Sequence, residues 1–190
     1  MVAKLNVRER LISSAAELFY SQGVAATGID KITAHAGVAK MSLYNNFSSK
    51  ADLVEAYVQT RTESWLGYYA ERIAAAQTAE ERVLAVFDSY IDQAALSEGS
   101  GFRGCGLLNA AAELVEGDRS REVAAAQKRQ VVGMFSEHLT EMGLGASSVD
   151  EVAQHLTFLL EGAMALAGLD GKDDKLKAAR KIATTVLRKL

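Results

Sequence analysis

The chain has 190 residues, 49% of them hydrophobic, with one cysteine and no proline where average usage would place about nine. This excludes disulfide scaffolds and secreted mini-proteins, and it points to helices around one large core or two small ones. The formal net charge of −3 divides into +3 over residues 1–50, from six Lys/Arg and three acids, and −6 over the other 140, from fifteen and twenty-one: a basic head suited to a polyanion on an acidic body.

The opening MVAKLNVRERLISSAAELFY is interrupted by Lys4, Arg8, Glu9, Arg10 and Glu17, so it does not read as a signal peptide. It reads instead as an amphipathic helix, with Val7, Leu11, Ala15, Leu18 and Phe19 on one stripe and an end near Gly23. Thr27 is expected to cap a second helix, Ile29 to Ala36, which Gly37 breaks. A third short helix is expected from about Lys40 to Asn46. Ser48 or Ser49 opens a fourth that runs past Trp65 and Tyr69 towards Ala76. Thr78 with Glu81 has capping-box spacing for a fifth, with Val83, Leu84, Phe87, Tyr90, Ile91 and Ala94 inward.

The glycine-rich stretch 97–106 is expected to be a loop or hinge. A short helix follows from Leu107 to Val115, then a longer one from about Ser120 to Met142. Ser148 with Glu151 suggests another capping box, opening a helix to about Ala167, and a last helix runs from about Asp173 to Leu190. These make about nine helices, an all-α fold. Within the eighth, the segment from His155 to Leu169 carries a single charge, Glu161, and is too short for a bilayer, which needs about 20 apolar residues. Its outer side needs cover, most simply from a second copy, giving a homodimer through about 148–190; the alternative is a central core helix in a monomer.

Residues 32–47 have the pattern of a helix-turn-helix. Ala34 and Ala36 permit close approach, Gly37 turns the chain, and Val38, Leu43 and Phe47 fill a small core. Lys40, Met41, Ser42, Tyr44, Asn45 and Asn46 are left outward. From Arg8 to Leu53 the sequence resembles the DNA-binding domain of the TetR (tetracycline-repressor) family of bacterial regulators. The marks are Ala-Ala-x-Leu-Phe at Ala15 to Phe19, Gly23, Thr27, Ala-Gly-Val at 36–38, Leu43-Tyr44, and Phe47 followed by Ser49-Lys50. Gly104 to Leu114 resembles one group of the family's ligand domains.

The resemblance implies a homodimer with a DNA head, residues 1–50, and an effector-binding and dimerisation body, 51–190. Thr27 and Lys50 would hold phosphates, Tyr44 and Asn46 would reach the DNA backbone, and Met41, Ser42 and Asn45 would read bases, with Lys40 at the start of the helix. The sequence departs from the common pattern at Asn45 and Asn46, where aromatic residues or His are frequent, at Met41, where a small residue is usual, and at Asp30, where many members carry a base. Asparagine pairs bidentately with adenine, so Asn45 suits an A·T step.

Other motifs carry less. Gly99 to Gly104 matches G-x-G-x-x-G without the strand that a dinucleotide site needs, and a hinge at the mouth of a ligand pocket is the working reading. His35 falls in the helix-turn-helix, while His138 and His155 are expected to cap helices or lie on the surface. Cys105 is expected to be buried packing, in a cytoplasmic protein. Trp65, Tyr69, Phe87, Tyr90, Phe102, Asn109, Phe135 and Phe158 are the candidates for a partly apolar small-molecule effector pocket. No cofactor, metal, membrane or catalytic site is expected. The resulting expectation is a ligand-released repressor on a palindromic operator; the alternative is a helical ligand-binding protein or enzyme that does not touch DNA.

Overall fold

A computed structural model describes residues 5–95 and 101–190. The described residues form nine α-helices and no strand: α1 Val7–Gln22, α2 Ile29–Ala36, α3 Lys40–Tyr44, α4 Lys50–Ala75, α5 Ala79–Ala95, α6 Gly106–Ala112, α7 Arg119–Glu141, α8 Ala146–Asp170 and α9 Asp174–Leu187. They pack as two units. One holds the chain up to Thr62 together with Gly106–Ala124, the other Glu63–Cys105 with Ala125–Leu190. The boundary therefore falls inside α4 and inside α7, whereas the sequence suggested a cut at residue 50. The difference arises because α6 packs on α1 and the Tyr57 hydroxyl donates to the Gly106 carbonyl at 3.4 Å.

In the first unit, Asn6 caps α1 in a reciprocal box: its Oδ1 accepts the Glu9 N–H at 2.9 Å and the Glu9 carboxylate accepts the Asn6 N–H at 2.8 Å. The buried stripe starts at Leu11, and Val7 lies outside it. Thr27 is not the cap of α2. That position belongs to Gly28, one residue later, and the Thr27 hydroxyl turns inward to donate to the Gly23 carbonyl at 2.7 Å. Helix α3 closes at Tyr44, leaving Asn45 and Asn46 in the turn that follows. Ser49 opens α4, accepting the Asp52 N–H at 3.1 Å. Leu11, Leu18, Ile32, Leu43, Phe47 and Leu53 are buried in this unit, each aliphatic side chain contributing about 1.5–3 kcal/mol of transfer free energy.

In the second unit, Thr78 and Glu81 form the expected box, and the N–H groups of Gln77 and Thr78 hold the Glu81 carboxyl below the usual range. Phe87 of α5 meets Phe135 of α7 at 5.6 Å between ring centroids. Helix α9 packs on α8 and on α5; α8 buries Leu156, Leu160, Ala163, Met164 and Ala167, and α9 buries Leu176, Ala179, Ala183 and Leu187. The start of α8 differs from the sequence reading: it is capped by Gly145 without a side-chain bond, which places Ser148 inside the first turn. At 25 residues α8 is long and apolar enough to cross a bilayer by length and composition, yet its buried stripe is a core stripe.

Residues 96–100 lie outside the described residues, and with them the first two positions of the G-x-G-x-x-G match. Residues 101–105 are loop, with Phe102, Gly104 and Cys105 buried. Gly104 lies against α8 so closely that a Cβ on Gly168 would sit 2.6 Å from the Gly104 nitrogen and 2.8 Å from the Arg103 carbonyl carbon. Both are backbone atoms and cannot swing aside. Gly168→Ala is therefore expected to destabilise the chain by about 1–3 kcal/mol, read as a lower urea midpoint with an unchanged m-value.

Candidate nucleic-acid interface

Helices α2 and α3 meet at Gly37, whose left-handed backbone (φ 62°) ends α2. The turn is held from α1: the Arg10 guanidinium donates to the carbonyls of Ala36 and Gly37, the latter at 3.0 Å, satisfying acceptors that a helix end leaves open. Arg8, also on α1, stands over the Phe47 ring at 5.1 Å. Arg10 is a positioning residue that the sequence reading missed. Its partners are 26 and 27 residues away, and nothing in its local pattern separates it from a solvated arginine.

With Leu43 fully buried, α3 turns its other residues outward. Met41 is 70% exposed, Tyr44 is about half exposed, and Asn45 and Asn46 are exposed. The Asn46 side-chain amide donates back to the Ser42 carbonyl at 2.7 Å, and Ser42 is half-buried. Lys40 pairs with Asp30 of α2 at 2.7 Å, and this bond raises the Lys40 pKa. Asp30 thus offsets a lysine on the reading face. Lys50 is half-buried and donates to the Val24 carbonyl at 2.6 Å. Thr27 is 0% exposed, and its hydroxyl is occupied within the fold, so its side chain is not presented for a phosphate.

The proposed effector set divides. Trp65 stacks on Tyr69 at 5.8 Å and meets Tyr90 edge-on at 5.4 Å, while Phe87 packs with Phe135 and Phe102 is buried. Asn109 belongs to the first unit, whereas the other seven candidates belong to the second. Phe158 is 72% exposed and lines a groove of about 320 Å³ between α8 and α9 with Leu166 and Ile182, so it is a surface residue and not a core aromatic.

The polar centre of the second unit contains Tyr90, one of the sequence candidates, together with Lys128 and Glu161, which were not among them. Lys128 of α7 places its Nζ 2.8 Å from Glu161 Oε1, 3.1 Å from the Tyr90 hydroxyl and 3.5 Å from Cys105 Sγ. Burial disfavours the ammonium, but the charge and hydrogen bond of the Glu161 carboxylate hold the Lys128 pKa above the ordinary lysine range. Burial raises the Tyr90 pKa, so its phenol stays neutral. Among the described residues, the indole N–H of the buried Trp65 and the second carboxylate oxygen of Glu161 have no hydrogen-bond partner. One signal was available: Lys128 stands on the same helical stripe as the buried Ala124, Val131, Phe135 and Leu139.

His138, expected to cap a helix or lie on the surface, stands in the last turn of α7 and is buried. Its Nε2 is 2.8 Å from the Tyr69 hydroxyl, and its Nδ1 is 3.4 Å from Glu141, which Arg82 also holds at 2.7 Å. Burial, with the nearby charges of Glu137 and Glu141, pushes the Tyr69 hydroxyl up to about 12.

A family profile described as "Bacterial regulatory proteins, tetR family" matches residues 11–57. The whole chain is similar in structure to SCO4454, a TetR-family transcriptional regulator from Streptomyces coelicolor, with a TM-score of 0.86, 31% identity, and coverage of 96% of this chain and 95% of that one. The HTH-type transcriptional activator FasR of Mycolicibacterium smegmatis is 31% identical over 85 residues, 45% of this chain and 39% of FasR. The HTH-type transcriptional repressor KstR2 of the same organism is 30% identical over 80 residues, 42% of this chain and 39% of KstR2. The matched stretches therefore span well under two thirds of these two relatives.

The buried ion pair supplies a stability test. Lys128→Met leaves the Glu161 carboxylate without its cation and should cost about 3 kcal/mol or more. Adding Glu161→Gln should recover most of that loss, so a urea-denaturation cycle on the two single variants and the double variant should show strong coupling.

Proposed function

The chain belongs to the TetR family of bacterial regulatory proteins and is a transcriptional regulator with a DNA-binding domain; from that premise we propose that it acts as a homodimeric repressor released from a palindromic operator by a small molecule. The observation that carries this reading is the exposed surface of α3 and the turn that follows it, where Met41 and Tyr44 of the helix and Asn45 and Asn46 of the turn stand outward, beside a helix anchored by Leu43 and preceded by a turn that Arg10 ties. Asn45 and Met41 read base edges, with Ser42 beside them. Tyr44, Asn46, Lys40 and Lys50 meet the sugar-phosphate backbone.

Dimerisation uses α8 and α9. Phe158, Leu166, Leu169 and Ile182 are 50–84% exposed on these two helices, an apolar stripe that a second copy would cover. Two heads then span half-sites about 34–36 Å apart or a multiple of that spacing. The effector is a partly apolar molecule bound in the second unit near Trp65, Tyr90 and Lys128. It favours a state in which the heads no longer match successive major grooves, which is how differential affinity for two states becomes release. The matched relatives include both an activator and a repressor by name; repression follows here from an operator that is occupied until the effector arrives. The regulator works in the cytoplasm, where the chromosome is, and catalyses no reaction.

Binding to DNA from upstream of its own gene, measured across a salt series, tests this reading. A steep fall of affinity with salt and two chains per site are expected; no binding, or binding indifferent to salt, favours a ligand-binding protein or enzyme without DNA. Asn45→Ala is expected to cost about 1–3 kcal/mol on the operator and much less on random DNA. Equal losses on both would remove Asn45 from base reading. Asp30→Asn frees the Lys40 ammonium and should tighten binding to all sequences, with the salt slope steeper by about 1.

A further inference from the structure

Glu113 lies one residue beyond the C-terminal end of α6 and far in sequence from the α1–α2 turn, yet its carboxylate is seated on that turn. Oε1 accepts the Val24 N–H at 3.0 Å and Oε2 accepts the Ala25 N–H at 2.7 Å. The same turn is held on its carbonyl side, where Lys50 donates to the Val24 oxygen at 2.6 Å and Thr27 to the Gly23 oxygen at 2.7 Å. Donor and acceptor sides of one short turn are thus each taken by side chains. Gly23 makes room for this: its φ is +91°, and a Cβ there would lie 2.7 Å from Glu113 Oε1. Glu113 is itself exposed, so these two charge-assisted bonds fix its position, and burial does not.

The turn sets the angle at which α2 leaves α1, and α2 carries α3 through Gly37. We propose that Glu113 is a positioning residue for DNA recognition, whose carboxylate locks the α1–α2 turn and with it the placement of the reading helix, without touching DNA. A carboxylate in a DNA-binding unit repels phosphate on electrostatic grounds alone, so its contribution to binding is geometric and opposite in sign to its charge. This rests on the reading of α3 as the DNA-contacting helix.

The test uses the full-length chain with Glu113→Ala and Glu113→Gln, upstream DNA at several salt concentrations, amide hydrogen exchange and thermal melting. In Glu113→Ala the Val24 and Ala25 amides should lose protection, and operator affinity should fall about tenfold, as expected for losing hydrogen bonds to a charged group. The salt slope should not change, because no phosphate contact is removed. Glu113→Gln keeps one acceptor oxygen and should lose less, which keeps the proposal testable if the alanine variant folds poorly. Unaltered exchange at the two amides, or operator binding as tight as wild type or tighter in both variants, overturns the role of Glu113. A wild-type chain that binds no DNA overturns the underlying reading instead, and that result is separate because it needs no variant.

Discussion

The first unit depends on satisfying backbone groups at the ends of helices too short to be stable alone. Helices α2 and α3 have eight and five residues, so most of their N–H or C=O groups belong to a first or last turn that lacks a partner within the helix. The partners come from elsewhere in the unit. Arg10 takes the carbonyls at the end of α2, Thr27 takes the Gly23 carbonyl after α1, Lys50 takes that of Val24, and Glu113 takes two N–H groups of the same turn. With the α1–α2 turn and the end of α2 held in this way, α3 is placed with only Leu43 buried in the core.

The same requirement explains why residues expected to contact DNA divide as they do. Thr27 and Lys50 both serve the α1–α2 turn, although Lys50 has donors left over and Thr27 has no exposed surface. The charge of the head is also less available than a count of lysines suggests. Lys40 is paired with Asp30, and Arg10 is engaged by carbonyls. Apart from Lys40, what α3 and the turn after it present, Met41, Tyr44, Asn45 and Asn46, is uncharged, a chemistry suited to hydrogen bonding and apolar contact with bases more than to attraction for phosphate.

In the second unit the governing constraint is a charge placed inside. Lys128 is kept cationic by Glu161 and is neighboured by Tyr90 and Cys105, with Trp65 meeting Tyr90 edge-on. A buried pair of this kind seldom adds stability over an apolar core, and among the described residues the Trp65 indole N–H and one Glu161 oxygen find no partner beside it. On α8 and α9 the reverse holds: apolar side chains stand outward, and Leu169 is 84% exposed.

Periodicity and capping residues by themselves determined the all-α class, the order of nine helices, the turn at Gly37, the box at Thr78 and Glu81, and the outward set on α3, because each depends on residues within one or two turns of one another. The family was legible for the same reason, since its marks lie within a stretch of fewer than fifty residues. Local pattern misled where a hydroxyl stood one place from the true cap, as at Thr27, or inside the first turn, as at Ser148. Only the tertiary structure decided the roles of Arg10, Glu113, Lys128 and His138, the exposure of Phe158, and the packing of α6 with the head. Those depend on hydrogen bonds and burial between residues 26 to 89 positions apart or more, and which distant side chain reaches an open backbone group is set by how helices pack, a quantity that no local spacing contains.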